Sequence, residues 1–143
     1  MKTLAIMTAL LFGGTVFAQD LAESQVPSVV LNTFKKEFPK ASDVEWEKQG
    51  ETYNVDFEIG FFTDYEAWFD GNGKMIKHSE EISEGDLPQT VKNTIKTQYA
   101  DYKIDDAEKW TTNGQETFLV EIEKGNEEKH LEFDGAGKIL NTK

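Results

Sequence analysis

FDGNGKMI, residues 69–76, returns almost letter for letter as FDGAGKIL, residues 133–140. Asp-Gly between apolar runs marks a tight hairpin, because the turn needs positive φ. Working outward, each octapeptide closes a longer unit. Val26-Pro27 and Leu87-Pro88 each precede an apolar stripe stepping by four, Val30, Phe34, Phe38 and Val91, Ile95, Tyr99. That spacing puts three side chains on one helix face. Proline suits a helix start, where its missing N–H has no partner to lose. Pro39 ends the first helix.

Strict alternation follows. Tyr53, Val55, Phe57 and Ile59 are separated by Asn54, Asp56 and Glu58, and Phe118, Val120 and Ile122 are separated by Leu119 and Glu121. Period two with acidic residues between describes half-buried antiparallel strands. Ala67-Trp68-Phe69 and Leu131-Glu132-Phe133 then enter the Asp-Gly turns, and Lys74-Met75-Ile76 and Lys138-Ile139-Leu140 leave them. Each copy reads as one helix and four strands, copy one over residues 26–82 and copy two over 87–143, linked by Ser83-Glu84-Gly85-Asp86. A unit of this size buries only about 60% of its unfolded surface, and two joined copies bury more. Trp46 and Trp110 each lie four residues before a glycine, Gly50 and Gly114, and are expected in equivalent buried places.

Residues 1–18, MKTLAIMTALLFGGTVFA, have a basic start at Lys2, a short apolar run and small residues at Val16 and Ala18. This is the pattern of a secretory signal peptide cut before Gln19. The apolar run is too short to span roughly 30 Å of hydrocarbon. Export to the periplasm or the extracellular space is expected, with no stable membrane insertion. The chain has 27 acidic residues against 15 basic ones and a net charge of −12. Such a chain repels nucleic-acid phosphates, so nucleic acid is not an expected partner. With no cysteine, stability rests on packing rather than disulfides.

The VPxxVxxxFxxxFP helix, the following Trp46, the YNVDFE strand and the FDGNGK hairpin resemble the PepSY-like domain family of exported bacterial proteins. That family is similar to the beta-lactamase inhibitor protein. The resemblance implies a tandem α+β fold, each copy one helix packed on an antiparallel three- to four-stranded sheet. It also implies binding or inhibition of a partner protein outside the cytoplasm.

Catalytic signatures are absent from the sequence. There is no Cys, and no Ser sits in a G-x-S-x-G elbow. His78 and His130 do not have paired metal-ligand spacing. Asp70, Asn72 and Glu81 fall at calcium-loop positions, but Lys74 and Met75 stand where a ligand and a glycine belong. A non-enzyme with neither metal nor cofactor is expected. The informative signal is where the copies differ: copy one carries Phe61, Phe62, Tyr65 and Trp68, while copy two has Gly125-Asn126-Glu127-Glu128 and then Lys129 and Glu132. Phe69 belongs to the core, so Trp68 beside it should face the other way. These four aromatics either pack between the copies or form one anchor patch for a protein partner. The reading is an exported non-enzymatic binding module, and the alternative is a small-ligand or cation carrier using the acidic sheet face.

Overall fold

The computed structural model describes residues 18–143. The signal-peptide reading concerns residues 1–18 and so lies, apart from Ala18, outside the described residues. Two helices and nine strands follow in the order β1 (Ala18–Leu21), α1 (Ser28–Glu37), β2 (Ala41–Gln49), β3 (Thr52–Ile59), β4 (Thr63–Phe69), β5 (Met75–Glu81), α2 (Gln89–Gln98), β6 (Lys103–Thr112), β7 (Gln115–Lys124), β8 (Glu127–Asp134) and β9 (Ile139–Thr142). All nine strands form one antiparallel sheet in sequence order. The three- to four-stranded sheet expected in each half is part of one continuous sheet, because β5 pairs with β4 on one side and β6 on the other. Ala18–Leu21 adds an edge strand against β2.

Both helices cover the same face. Val30 and Phe34 of α1 pack with Trp46, Val55, Phe57 and Phe69. Val91 and Ile95 of α2 pack with Val120, Ile122, Leu131 and Phe133. The Phe34 ring meets Trp46 and Phe57 edge-on at centroid distances of 5.2 and 5.0 Å, the geometry favoured by the ring quadrupole. Pro27 and Pro88 occupy the cap positions just before the helices.

The Asp and the second Gly of the repeated octapeptide each have a physical reason. Asp70 Oδ1 accepts hydrogen bonds from the Asn72 and Lys74 amides, and Asp134 Oδ1 from those of Ala136 and Lys138. These carboxylates shape turns. The second glycine of each turn has φ of +82°, a conformation that side chains with a Cβ adopt at a cost. It also lies under the first turn of a helix. A Cβ on Gly73 would stand 2.7 Å from the Val29 carbonyl oxygen, and one on Gly137 would stand 2.5 Å from that of Thr90. The hairpin is thus the seat on which each helix starts. The Thr94 hydroxyl donates to the Gly137 carbonyl at 2.7 Å, fastening the second seat.

Trp46 and Trp110 are not equivalent, which corrects the expectation from their spacing to glycine. Trp46 is opposite Val55 on the helix-covered face and is 4% exposed. Trp110 is opposite Ser79 and Thr117 on the other face. The reason is turn chemistry. Gly50 is the first residue of its two-residue turn, whereas Gly114 is the second, after Asn113. Counting back four from each glycine therefore changes parity by one, and one step along a strand changes face. The place opposite Val120 that corresponds to Trp46 is held by Ala107.

Candidate functional site

The face turned away from the helices is built by the alternate residues of every strand. One cross-strand row runs Asn54, Trp68, Lys77, Thr112, and the next runs Asp56, Glu66, Ser79, Trp110. Trp68 comes from β4 and Trp110 from β6, with β5 between them. Their rings stack at a centroid distance of 5.2 Å and an interplanar angle of 26°. Lys77 Nζ lies 4.3 Å from the Trp68 centroid and 4.9 Å from that of Trp110. A cation over an indole face is attracted by about 0.5–2 kcal/mol. Both indoles are half-buried, so this open face presents a braced aromatic centre to solvent.

Carboxyl groups surround it. Trp110 Nε1 donates to Glu108 Oε2 at 2.8 Å, which fixes the orientation of that indole. Burial raises the Glu108 carboxyl, and this indole bond partly offsets the rise. Glu66 hydrogen-bonds the Asp56 carboxyl across the β3–β4 ladder, and burial, then that bond and the Asp56 charge, push Glu66 up to about 8. Burial likewise raises Asp56. Desolvation lowers Lys77, with the Glu66 charge opposing it. Buried Asn54 donates to the Ala67 carbonyl at 3.5 Å and contacts Glu66, holding the row together.

These shifts carry a pH prediction. Glu66 rises from 4.5 to about 8 on folding, so the native state binds the extra proton between those values. Its contribution is present below the unfolded value and is lost as pH rises through the folded one. The Tm is expected to fall from pH 5 toward pH 8, and Glu66→Gln, which keeps the neutral shape, is expected to flatten that fall. A thermal melt series on both proteins measures this; identical slopes would contradict it.

The four aromatics expected as one patch divide three ways. Trp68 lies on the open face. Tyr65 pairs across from Phe57 on the helix side, stacking on that ring at 5.5 Å. Phe61 and Phe62 form the β3–β4 turn and are 94% and 81% exposed. Six residues of strand, at about 3.3 Å each, separate Phe62 from Trp68 by about 20 Å. Beside Trp68 stands instead Trp110, which spacing alone had misplaced, along with Lys77, Glu66 and Glu108. The cross-strand register was the missing signal: only through β5 do Trp68 and Trp110 become neighbours. Farther along the same face lie Glu121 on β7 and Glu128 and His130 on β8. Two clefts lie elsewhere, one between α1 and Trp46 and one beside Glu80 and Lys109.

Comparison with known proteins agrees with this architecture. The family model described as beta-lactamase-inhibitor-like, PepSY-like matches residues 16–62 and 51–141. No curated protein matches the chain. Among solved structures, a DUF2874 family protein from Bacteroides uniformis superposes with a TM-score of 0.73 at 22% identity, covering 82% of this chain and 88% of that one. A BLIP-like protein from Bacteroides fragilis superposes at 0.69 with 24% identity, covering 82% and 84%. A Bacteroides eggerthii protein assigned to the periplasm superposes at 0.75 with 19% identity, covering 82% and 88%. At these identities the likeness is one of fold. With the family model spanning both helices and eight of the nine strands in full, the chain belongs to the PepSY-like, beta-lactamase-inhibitor-like family.

Proposed function

We propose that this protein is an exported, non-enzymatic binding module whose open sheet face docks a folded protein partner. The observation that carries the reading is the stacked Trp68–Trp110 pair held over Lys77 on the face the helices leave uncovered. Tryptophan is over-represented among residues that dominate interface energetics. An aromatic centre with a charged surround is the usual build of a partner surface. The net charge of −12 fits a partner that presents basic side chains. Neither Trp68 nor Trp110 lines the clefts at α1 and beside Glu80 and Lys109, which favours a protein over a small molecule, since small molecules are more often held in a cleft. Export agrees with the periplasmic assignment of the Bacteroides eggerthii structure and with a signal peptide over residues 1–18. The two halves, residues 26–82 and 87–143, are read as two copies of one helix-and-four-strand unit. Inhibition of an enzyme, by likeness to the BLIP-like structure, is one form such docking takes. Phe61 and Phe62, exposed on the β3–β4 turn, would make a second contact at the edge of that interface, while Tyr65 stacks on Phe57 on the helix side.

The test is affinity capture from envelope extract with the wild-type protein and with Trp68→Ala and Trp110→Ala. A discrete protein captured by the wild type should be weakened by about 2 kcal/mol or more in either variant, as truncated interface anchors are. Circular dichroism should show both variants folded. Equal capture by all three proteins would reject this face as the docking surface.

A further inference from the structure

Beyond docking, the open face carries a second constellation on its other half. Glu121 of β7 and His130 of β8 are directly opposite in the ladder, and Glu128 lies two residues before His130 on the same face. The Glu121 and Glu128 carboxylates and the His130 imidazole bring one donor atom each to within 4.8 Å of one another. His130 Nδ1 is buried and has no hydrogen-bond partner among the described residues, although Glu121 Oε2 is 3.5 Å away. An imidazole nitrogen shut off from water is expected to have a partner. Among the described residues no lysine forms an ion pair with Glu121 or Glu128, while Lys129 pairs with Glu127 instead. Asp106 stands opposite Glu121 on β6 and adds a third negative charge to the row. Two abutting carboxyl groups that share a hydrogen bond, an acidic neighbour and an unpaired buried nitrogen thus converge on one point, with no lysine at ion-pair distance from either carboxyl among the described residues.

We propose that Glu121, Glu128 and His130 form a binding site for a divalent transition ion of the zinc type. Zinc takes imidazole nitrogen and carboxylate oxygen together, commonly with three protein ligands and an open fourth position for water. Calcium and magnesium prefer sets made of oxygen alone, so the imidazole selects against them. The arrangement comes from sheet register rather than from sequence spacing: a directly opposed pair has Cβ atoms about 4.5–5.5 Å apart, and the diagonal neighbour is within reach of a long side chain. One dication would neutralise both carboxylates and supply the partner that Nδ1 lacks. The site differs in residues from the Trp68–Trp110 centre, so either can stand without the other.

Zinc chloride titrated into the purified protein by calorimetry, with parallel observation of the imidazole resonances, tests the proposal. The chain has only two histidines, so His78, on the helix side against Phe38, serves as an internal control. The expected result is one zinc per chain with a dissociation constant on the order of micromolar. The His130 signals should move and the His78 signals should stay. Glu121→Gln and His130→Ala should each weaken binding by at least about tenfold, with unchanged melting in the absence of zinc, and calcium in excess should not compete. Absence of saturable binding in the micromolar range would overturn the proposal. So would unchanged affinity in His130→Ala, or a response at His78 instead of His130. The wild-type resonance experiment decides the matter even if a variant folds poorly.

Discussion

Trp46→Ala is expected to lose about 3–5 kcal/mol of folding stability, the cost of emptying a large aromatic site in a packed core. Trp110→Ala should lose much less, about 1–2 kcal/mol, from stacking and cation–π contacts at a half-buried surface. The contrast follows from the faces. Trp46 is buried against Phe34 and Phe69, while the ring and indole N–H of Trp110 meet Trp68, Lys77 and Glu108. Chemical denaturation of the two variants side by side measures it. Equal large losses would mean that Trp110 is a core residue and that the register between β5 and β6 is wrong.

Gly137→Ala is expected to cost about 2–4 kcal/mol, combining the penalty of the left-handed backbone with overpacking. The new methyl would stand 2.5 Å from the Thr90 carbonyl oxygen, which is backbone and cannot swing aside. Either the turn or the start of α2 must shift, and the Thr94–Gly137 bond at 2.7 Å would be strained with it. Gly135→Ala, in the same turn, is the control: no atom of the described residues lies within 4 Å of the added Cβ, and its φ is not positive. Melting temperatures of the two variants should separate clearly. If they matched, the helix would not be seated on the hairpin, and the reason offered for the repeated octapeptide would fail.

Most of the architecture was legible because it depends on local pattern. The step of four in Val30, Phe34 and Phe38 names a helix face, and the alternation from Tyr53 to Ile59 names a strand with one buried side. The Asp-Gly turns were legible for the same reason, since the chemistry of the turn is contained in its own letters. The inference that Trp68 points away from Phe69 also rested on a local rule. What failed was long-range register. Whether Trp110 faces the helices depends on which residue of the turn is the glycine, a difference of one position that the spacing does not reveal. Tyr65 was grouped with Trp68 by proximity in sequence, yet three positions along a strand place two residues on opposite faces. The Glu121–Glu128–His130 cluster was hidden for a related reason: Glu127, Glu128 and Lys129 around His130 read as a solvated strand, and Glu121 comes from the neighbouring one.

If the sheet face opposite the helices is where this protein meets its partner, contact must be detectable from that face in living cells. A photo-crosslinking amino acid placed at Thr112, exposed on that face and in register with Lys77, tests this whatever the partner's identity. The same group at Lys36, exposed on α1, reports on the helix side. The expected result is a discrete covalent adduct to one envelope protein from position 112 and none from position 36. An adduct from position 36 alone, or no adduct from either position, would contradict docking through the open face.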